Sequence, residues 1–279
     1  MPAPIVILTD FGTTDPFVGI MKGVIAQIAP QTPTIDLTHE IPPGDIRRGA
    51  VTLWQSVDYF SEGSTFLIVI DPGVGTSRRA ILLDNGRQRF IAPDNGVLSF
   101  ILGEKPQAWE ITNPQLALPH PGTTFHGRDI FAPAAAHASL GVLSPGFGAT
   151  ISDLQLLPLP QLSAPSPGIL QGQILHADRF GNLLTSLGKF RRNAKQLQFT
   201  PWVGALPSFS TLPGSIQLGL PNGIILPWAK TFAEIPTGQA AVILGSSGLL
   251  EIVANRQSAA NLLNLQADEP VTLRFEPTQ

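Results

Sequence analysis

An acid and an arginine seven positions apart, Asp71 and Arg78, bracket the stretch "DPGVGTSRR", which follows the apolar run "TFLIVI". Two glycines here invite comparison with a phosphate loop. Neither Gly-x-x-x-x-Gly-Lys-Ser/Thr nor Gly-x-Gly-x-x-Gly at a helix start is present, however. Arg79 leads into the strand-like "AILLD", so no helix N-terminus awaits a phosphate, and Asp71 would repel one. The spacing instead lets Asp71 and Arg78 pair across the turn. The plain alternative is a surface salt bridge that closes a Gly-Pro turn and adds little stability.

Two further polar loops carry candidate chemistry. In "TDFGTTD", Asp10 ends an apolar run, where a carboxylate can accept two hydrogen bonds side by side from the vicinal hydroxyls of a ribose, or can cap the next turn. Asp15 in the same loop precedes Pro16 and is expected to be the N-cap of the following helix. In "TTFHGRDIF", His126 is followed by Arg128 and Asp129; a lone histidine of this kind is either structural or catalytic. The remaining histidines, His39, His120, His137 and His176, show no metal-ligand spacing, and there is no cysteine, so no metal site is expected. Further along, "DRFGNLLTS" sets Asp178, Phe180 and Asn182 within five residues. The amide suits the edge of a base and the ring suits its face, or the segment is a β-turn with a satisfied asparagine. In "LGSSGLLEI", Ser246 and backbone amides could take a carboxylate, or the stretch is a hairpin.

The elements that must hold these residues change in kind along the chain. Up to about Gly148, strand-like runs ("PIVILTDFG", "TPTIDLTHEI", "STFLIVI") alternate with helix-like ones ("DPFVGIMKGVIAQIAP", "GDIRRGAVTLWQSVDYF", "GRDIFAPAAAHASLG"). That alternation predicts an α/β domain with a largely parallel central sheet, residues 1–154. A proline-rich stretch over 155–168 reads as a linker. Beyond it, short apolar runs separated by Gly, Asn and Pro turns predict a smaller, all-β, barrel-like domain over 169–279, with "NRQSAANLLN" as its short helix.

Composition excludes several functions. Charged residues make up 13% and the net charge is −3, so there is no basic excess to neutralise a nucleic-acid backbone. No apolar run approaches the ~20 residues of a membrane span, and "MPAPIVILTDFG" has no signal-peptide pattern. A cysteine-free chain of this kind is expected to work in the cytoplasm, without a membrane partner.

Taken in order, "TDFGTTDPFVG", "HEIPPGDIRRGA", "IDPGVGTSRR", "IAPDNGVLS", "TFHGRDIFAPAAAH", "DRFGNLLTS" and "GSSGLLEIVAN" resemble the S-adenosyl-L-methionine (SAM) hydroxide adenosyltransferases, the adenosine-forming SAM hydrolases related to the fluorinating and chlorinating SAM enzymes. The resemblance implies SAM as substrate, adenosine and methionine as products, and no cofactor or metal. It also implies a homotrimer whose active sites lie between the N-terminal domain of one subunit and the C-terminal domain of the next. An Asp-Arg-His triad falls on Asp71, Arg78 and His126, and the ribose-gripping acid on Asp10. Adenine contacts fall on Phe180 and Asn182, methionine contacts on Asp178 and Ser246, with Asp15 near the methionine amino group and Asn255 closing the last motif. Where the halogenating relatives carry a tyrosine, a halide-contacting threonine and a serine, this chain has Asp71, Val74 and Gly127. An added carboxylate opposes a halide, so water or hydroxide is the expected nucleophile. A SAM- or adenosine-binding module without catalysis, or a weak halogenase, are the competing expectations.

Overall fold

The computed structural model describes residues 2–193 and 195–278. The chain forms two compact units, residues 1–157 and 158–279.

The first unit runs β1 (Ile5–Thr9), α1 (Phe17–Ile28), β2 (Thr34–Thr38), α2 (Ile46–Ser56), β3 (Thr65–Val69), β4 (Ala80–Asp84), β5 (Arg89–Pro93), β6 (Gln107–Glu110), α3 (Ala132–Ser139) and β7 (Thr150–Ile151). Its sheet has the order β2-β1-β3-β5-β4-β6-β7. Strands β1 and β3 are buried on both faces because helices cover both sides. Ile5 and Ile7 pack with Met21, Ile25 and Ala135 of α1 and α3, while the alternate residues Val6 and Leu8 pack with Leu53 of α2. The sheet is mixed rather than largely parallel. Pairings among β2, β1, β3 and β5 are parallel, but β4 runs antiparallel to both β5 and β6, and β6 to β7. The cause is local: β4 returns into β5 through Asn85 and Gly86, whose φ is +84°, and such a tight turn can join only antiparallel neighbours.

A second departure concerns the start of α1. Asp15 is not its cap: Pro16 occupies the cap position without any side-chain hydrogen bond, and its carbonyl accepts the Ile20 N–H at 2.9 Å. Asp15 therefore lies one residue outside capping reach and is exposed. By contrast Asp45 caps α2, accepting the Arg48 N–H at 2.8 Å.

The second unit contains β8 (Leu162–Ser166), β9 (Ile169–Ala177), β10 (Leu183–Thr185), β11 (Phe190–Asn193), β12 (Gln196–Phe199), β13 (Phe209–Thr211), β14 (Gln217–Gly219), β15 (Ile225–Pro227), β16 (Ala240–Leu244), β17 (Leu250–Ala254), α4 (Ala259–Leu263), β18 (Pro270–Arg274) and β19 (Pro277–Thr278). An antiparallel sheet in the order β15-β14-β18-β9-β10-β17-β16, with β8 against β9, curls until its ends nearly meet. There Trp228 bridges Val242, and Ala229 N–H donates to the Val242 carbonyl at 2.9 Å. Leu170, Ile174, Leu218, Val242, Ile252 and Leu273 fill the barrel-like interior. Four short strands, β11-β12-β13-β19, form a separate sheet. Among the described residues no helix is long and apolar enough to cross a membrane.

Candidate active site

Strand β3 delivers Asp71 to the carboxyl end of the parallel strands, and the turn that follows folds back on it. Val74 N–H donates to the Asp71 carbonyl at 3.2 Å, and Thr76 braces the return with Oγ1 on the Gly73 carbonyl at 2.7 Å while accepting the Arg78 N–H at 3.3 Å. Gly75 sits at φ +79°, and a Cβ there would stand 2.7 Å from the Thr123 carbonyl oxygen, so both conformation and space require glycine. The result brings the guanidinium of Arg78 onto Asp71 in a two-point clamp. Nε donates to Oδ1 at 2.9 Å, and Nη2 donates to Oδ2. The two side chains are only 10% and 5% exposed, which removes the reading as a solvated surface pair.

The same Nη2 lies 2.8 Å from His126 Nδ1. A guanidinium has only donors to give, so Nδ1 accepts and the ring proton resides on Nε2. Burial, and then the charge of Arg78, push the His126 pKa below its ordinary 6.5, against the opposite pull of Asp71, Asp129 and the Gly122 backbone. Beneath the clamp, the Arg78 guanidinium rests 5.0 Å from the ring centre of Phe131, which is fully buried.

His126 opens an irregular turn rather than a regular helix. Residues Gly127–Phe131 form a π-helical turn before α3, with Ala132 N–H reaching back to the Gly127 carbonyl. Pro133 has no N–H to offer Asp129, whose carbonyl instead takes the Leu118 N–H at 2.8 Å. The Asp129 carboxylate accepts the Gly122 N–H at 2.9 Å and pairs with Arg128, so it holds the loop leading to His126.

Asp10 follows directly on β1 and lines a cleft of about 520 Å³ with Phe11, Phe17, Pro43, Gly44, Asp71 and Pro72. Its Oδ2 accepts the Gly44 N–H at 2.7 Å. Burial raises its pKa, with the Asp71 charge adding to the effect and that backbone bond opposing it. Phe11, Phe17 and Phe125 make a cluster of rings 5.3–6.0 Å apart beside it. Sequence reasoning did not single these rings out; their adjacency to Asp10, Pro16 and His126 was the available signal.

The neighbouring arginine goes elsewhere. Arg79 donates from Nε and Nη2 to Asp94 Oδ2 at 2.9 and 2.6 Å, and from Nη1 to Asp153 Oδ1 at 2.7 Å. Consecutive arginines thus serve the clamp and the body of the fold in turn.

In the second unit, Asp178, Phe180, Asn182 and Ser246 line one cleft of about 780 Å³. Asp178 organises the turn: its Oδ1 accepts from Phe180 N–H at 2.8 Å and Asn182 N–H at 2.9 Å, and its Oδ2 from Asn182 Nδ2 at 2.8 Å. Phe180 is 77% exposed, an aromatic face offered outward. The cleft adds Phe232, Arg256 and Glu251, which the sequence reading passed over. Burial and the charge of Asp178 raise the Glu251 pKa. Asn255 lies between two lining residues but outside the cleft, its amide donating to the Ile235 carbonyl at 2.7 Å. Asp15 stands exposed, without a pairing to the clamp. Among the described residues no group of His, Asp and Glu could hold a metal ion.

Comparison with known proteins places this geometry in context. Residues 5–148 match the model of the SAM hydroxide adenosyltransferase N-terminal domain, and residues 172–272 that of the C-terminal domain. The chain is 38% identical to a protein of Thermus thermophilus named (R)-S-adenosyl-L-methionine hydrolase, over 97% of this chain and 99% of that one. It is 28% identical to a fluorinase of Actinoplanes sp., over 98% and 99%. A crystal structure of an uncharacterized conserved protein from Thermotoga maritima superposes with a TM-score of 0.83 at 31% identity, covering 97% of this chain and 99% of that one.

Proposed function

The chain belongs to the SAM hydroxide adenosyltransferase family, and from that premise we infer that it is an enzyme that hydrolyses S-adenosyl-L-methionine to adenosine and L-methionine. The observation that carries the reading is the clamp in which Arg78 is held by Asp71 and donates to His126.

The chemistry asks little of a catalyst beyond position and a polarised water. The sulfonium already carries the positive charge, so methionine leaves as a neutral thioether. The oxygen of water bonds to the ribose C5′, the C5′–S bond breaks with its electron pair going to sulfur, and one proton is released. A guanidinium offers only donors, so Arg78 stabilises developing hydroxide rather than acting as base. The Nδ1 lone pair of His126 is spent on Arg78, and its pKa lies low. Asp71 keeps a second lone pair on each carboxylate oxygen, and it is the triad member that we assign to accept the proton.

Asp10 holds the ribose hydroxyls, Phe180 and Asn182 the adenine, and Asp178 and Ser246 the methionine, with Asp15 and Asn255 assigned to the same substrate. The resemblance of these motifs supports the assignments, as does the shared lining of one cleft by Asp178, Phe180, Asn182 and Ser246. The proposal extends to the (R) epimer of the sulfonium, which the name of the Thermus relative specifies, and to a cytoplasmic homotrimer of two-domain subunits that completes each site across a subunit boundary.

The test is incubation with SAM in 18O-labelled water. Attack at C5′ places the label on the 5′ oxygen of adenosine. A 5′-halonucleoside in excess chloride or fluoride would support a halogenase instead, and absence of any product would support a binding module.

A further inference from the structure

Beneath the Asp10 loop lies a chain of polar groups that the reaction does not use, open to solvent at Asp36 and buried at His39 and Thr9. Asp36 on β2 holds Lys22 Nζ at 2.6 Å through Oδ2 and meets His39 Nε2 at 3.2 Å through Oδ1. On the other side of that ring, His39 Nδ1 lies 2.9 Å from Thr9 Oγ1, and Thr9 Oγ1 accepts the Phe11 N–H at 3.3 Å. The Asp36 carboxylate faces Nε2 as an ion-pair contact outside hydrogen-bond geometry and favours the ring proton there, which leaves Nδ1 to accept the Thr9 hydroxyl proton. The hydrogen bonds then donate in one direction, from the Phe11 N–H to Thr9 and from the Thr9 hydroxyl to His39, with the Asp36 carboxylate at the far end.

The order Asp-His-Thr has the form of a relay that activates a nucleophile, but Thr9 is 0% exposed and His39 5%, so no substrate reaches the hydroxyl. What the chain does touch is the loop that leaves Asp10. The Thr9 side chain fixes Phe11, and the His39 carbonyl accepts the next N–H, that of Gly12, at 2.8 Å. The segment after His39 supplies the Gly44 N–H that holds the Asp10 carboxylate itself. The parallel register of β1 and β2 shifts between Ile7 and Leu8, just before these contacts, so the ladder alone does not carry the alignment into the loop.

We propose that His39 and Thr9, oriented by Asp36, are positioning residues that set the Asp10 carboxylate for the ribose; the inference rests on the reading of Asp10 given above. Adenosine, which carries that ribose, is the probe. Its affinity for the full-length protein is measured by titration calorimetry for wild type, Thr9→Val, Thr9→Ser, Asp10→Ala and the double variant Thr9→Val/Asp10→Ala. Thr9→Val is expected to weaken adenosine about tenfold, because a displaced carboxylate loses aligned hydrogen bonds, and Thr9→Ser to stay within about twofold. In the Asp10→Ala background the same Thr9→Val change is expected to cost less than about twofold, the mark of coupling rather than of general damage. An equal loss in both backgrounds, or wild-type affinity in Thr9→Val, overturns the proposal. Should Thr9→Val fail to fold, Asp36→Asn, on a side chain 42% exposed, must still weaken adenosine, and unchanged affinity there overturns the proposal equally. A wild-type protein that neither binds adenosine nor turns over SAM refutes the functional reading and this inference with it, whereas active wild type with an indifferent Thr9→Val refutes the inference alone.

Discussion

The triad residues are legible in the sequence as types and spacing, but what the structure adds is which lone pairs remain free. Seven positions separate Asp71 from Arg78, and that number alone permits both a solvated pair and a buried clamp. Burial decides for the clamp, and the shared Nη2 ties in a histidine 48 residues away that no local pattern could connect. Arg78→Lys is therefore expected to lower kcat by about 100-fold or more with little change in KM, because one ammonium cannot make the two-point clamp and reach His126 as well. Adenosine release followed by chromatography measures it.

The low pKa of His126 gives a sign as well. Below 6.5 an unfolded chain takes up this proton before the folded one does, so the contribution of His126 to stability is full above pH 6.5 and declines as pH falls from there toward the folded-state value. Activity is expected to follow, with kcat level down to pH 6.5 and an acid limb only below it, since protonation fills the Nδ1 that accepts from Arg78. An acid limb centred at or above 6.5 would remove His126 from the clamp.

At the scale of elements, alternation of apolar strands with amphipathic helices is strong enough to place β1, β3 and α1–α3, because burial on both faces leaves long apolar runs. Direction is less legible than existence. Asn85-Gly86 is a turn-forming pair, yet its consequence, an antiparallel half of the sheet, depends on which neighbour β4 meets. The start of α1 failed for a similar reason: Asp-Pro suits a cap followed by the first helical residue, and here the proline itself is the cap. The π turn after His126 is a third case, since a proline in the first helical turn is ordinarily harmless and matters here only because Leu118 claims the freed carbonyl. The turn from Asp71 to Arg78 is where an element can be tested directly. Gly75→Ala meets both a left-handed backbone and the Thr123 carbonyl, and is expected to cost about 1–3 kcal/mol of stability, read as a lower melting temperature. It should also lower kcat more than a similarly destabilising substitution in β5 does, because the strain falls on the clamp.

On the scale of the whole molecule, the change from strand-helix alternation to short turn-bounded strands correctly announced parallel strands first and an antiparallel, barrel-like sheet after them. The near-closure through Trp228 and Val242 was not legible, because a single bridge between the first and last strands of a sheet leaves no periodic trace. The residues assigned to SAM divide between the two units, with the clamp and Asp10 in one and the Asp178 cleft in the other. The proposed homotrimer, in which sites are shared across subunits, would make activity depend on assembly. Turnover per chain is then expected to fall on dilution in step with the loss of trimer, measured by mass photometry beside the adenosine assay. Constant turnover in a dissociated sample would exclude a shared site.

Arg78 and Arg79 differ by one position and by everything else: one closes on Asp71, the other on Asp94 and Asp153. Because successive residues entering a strand face opposite sides, a change of length between Asp71 and Arg78 that slipped β4 by one residue would exchange their destinations, even though every residue type in the motif survived. Natural variation in this segment should consequently be rich in point substitutions at exposed positions such as Val74 and Ser77 and almost free of insertions and deletions. The heritable quantity here is a count.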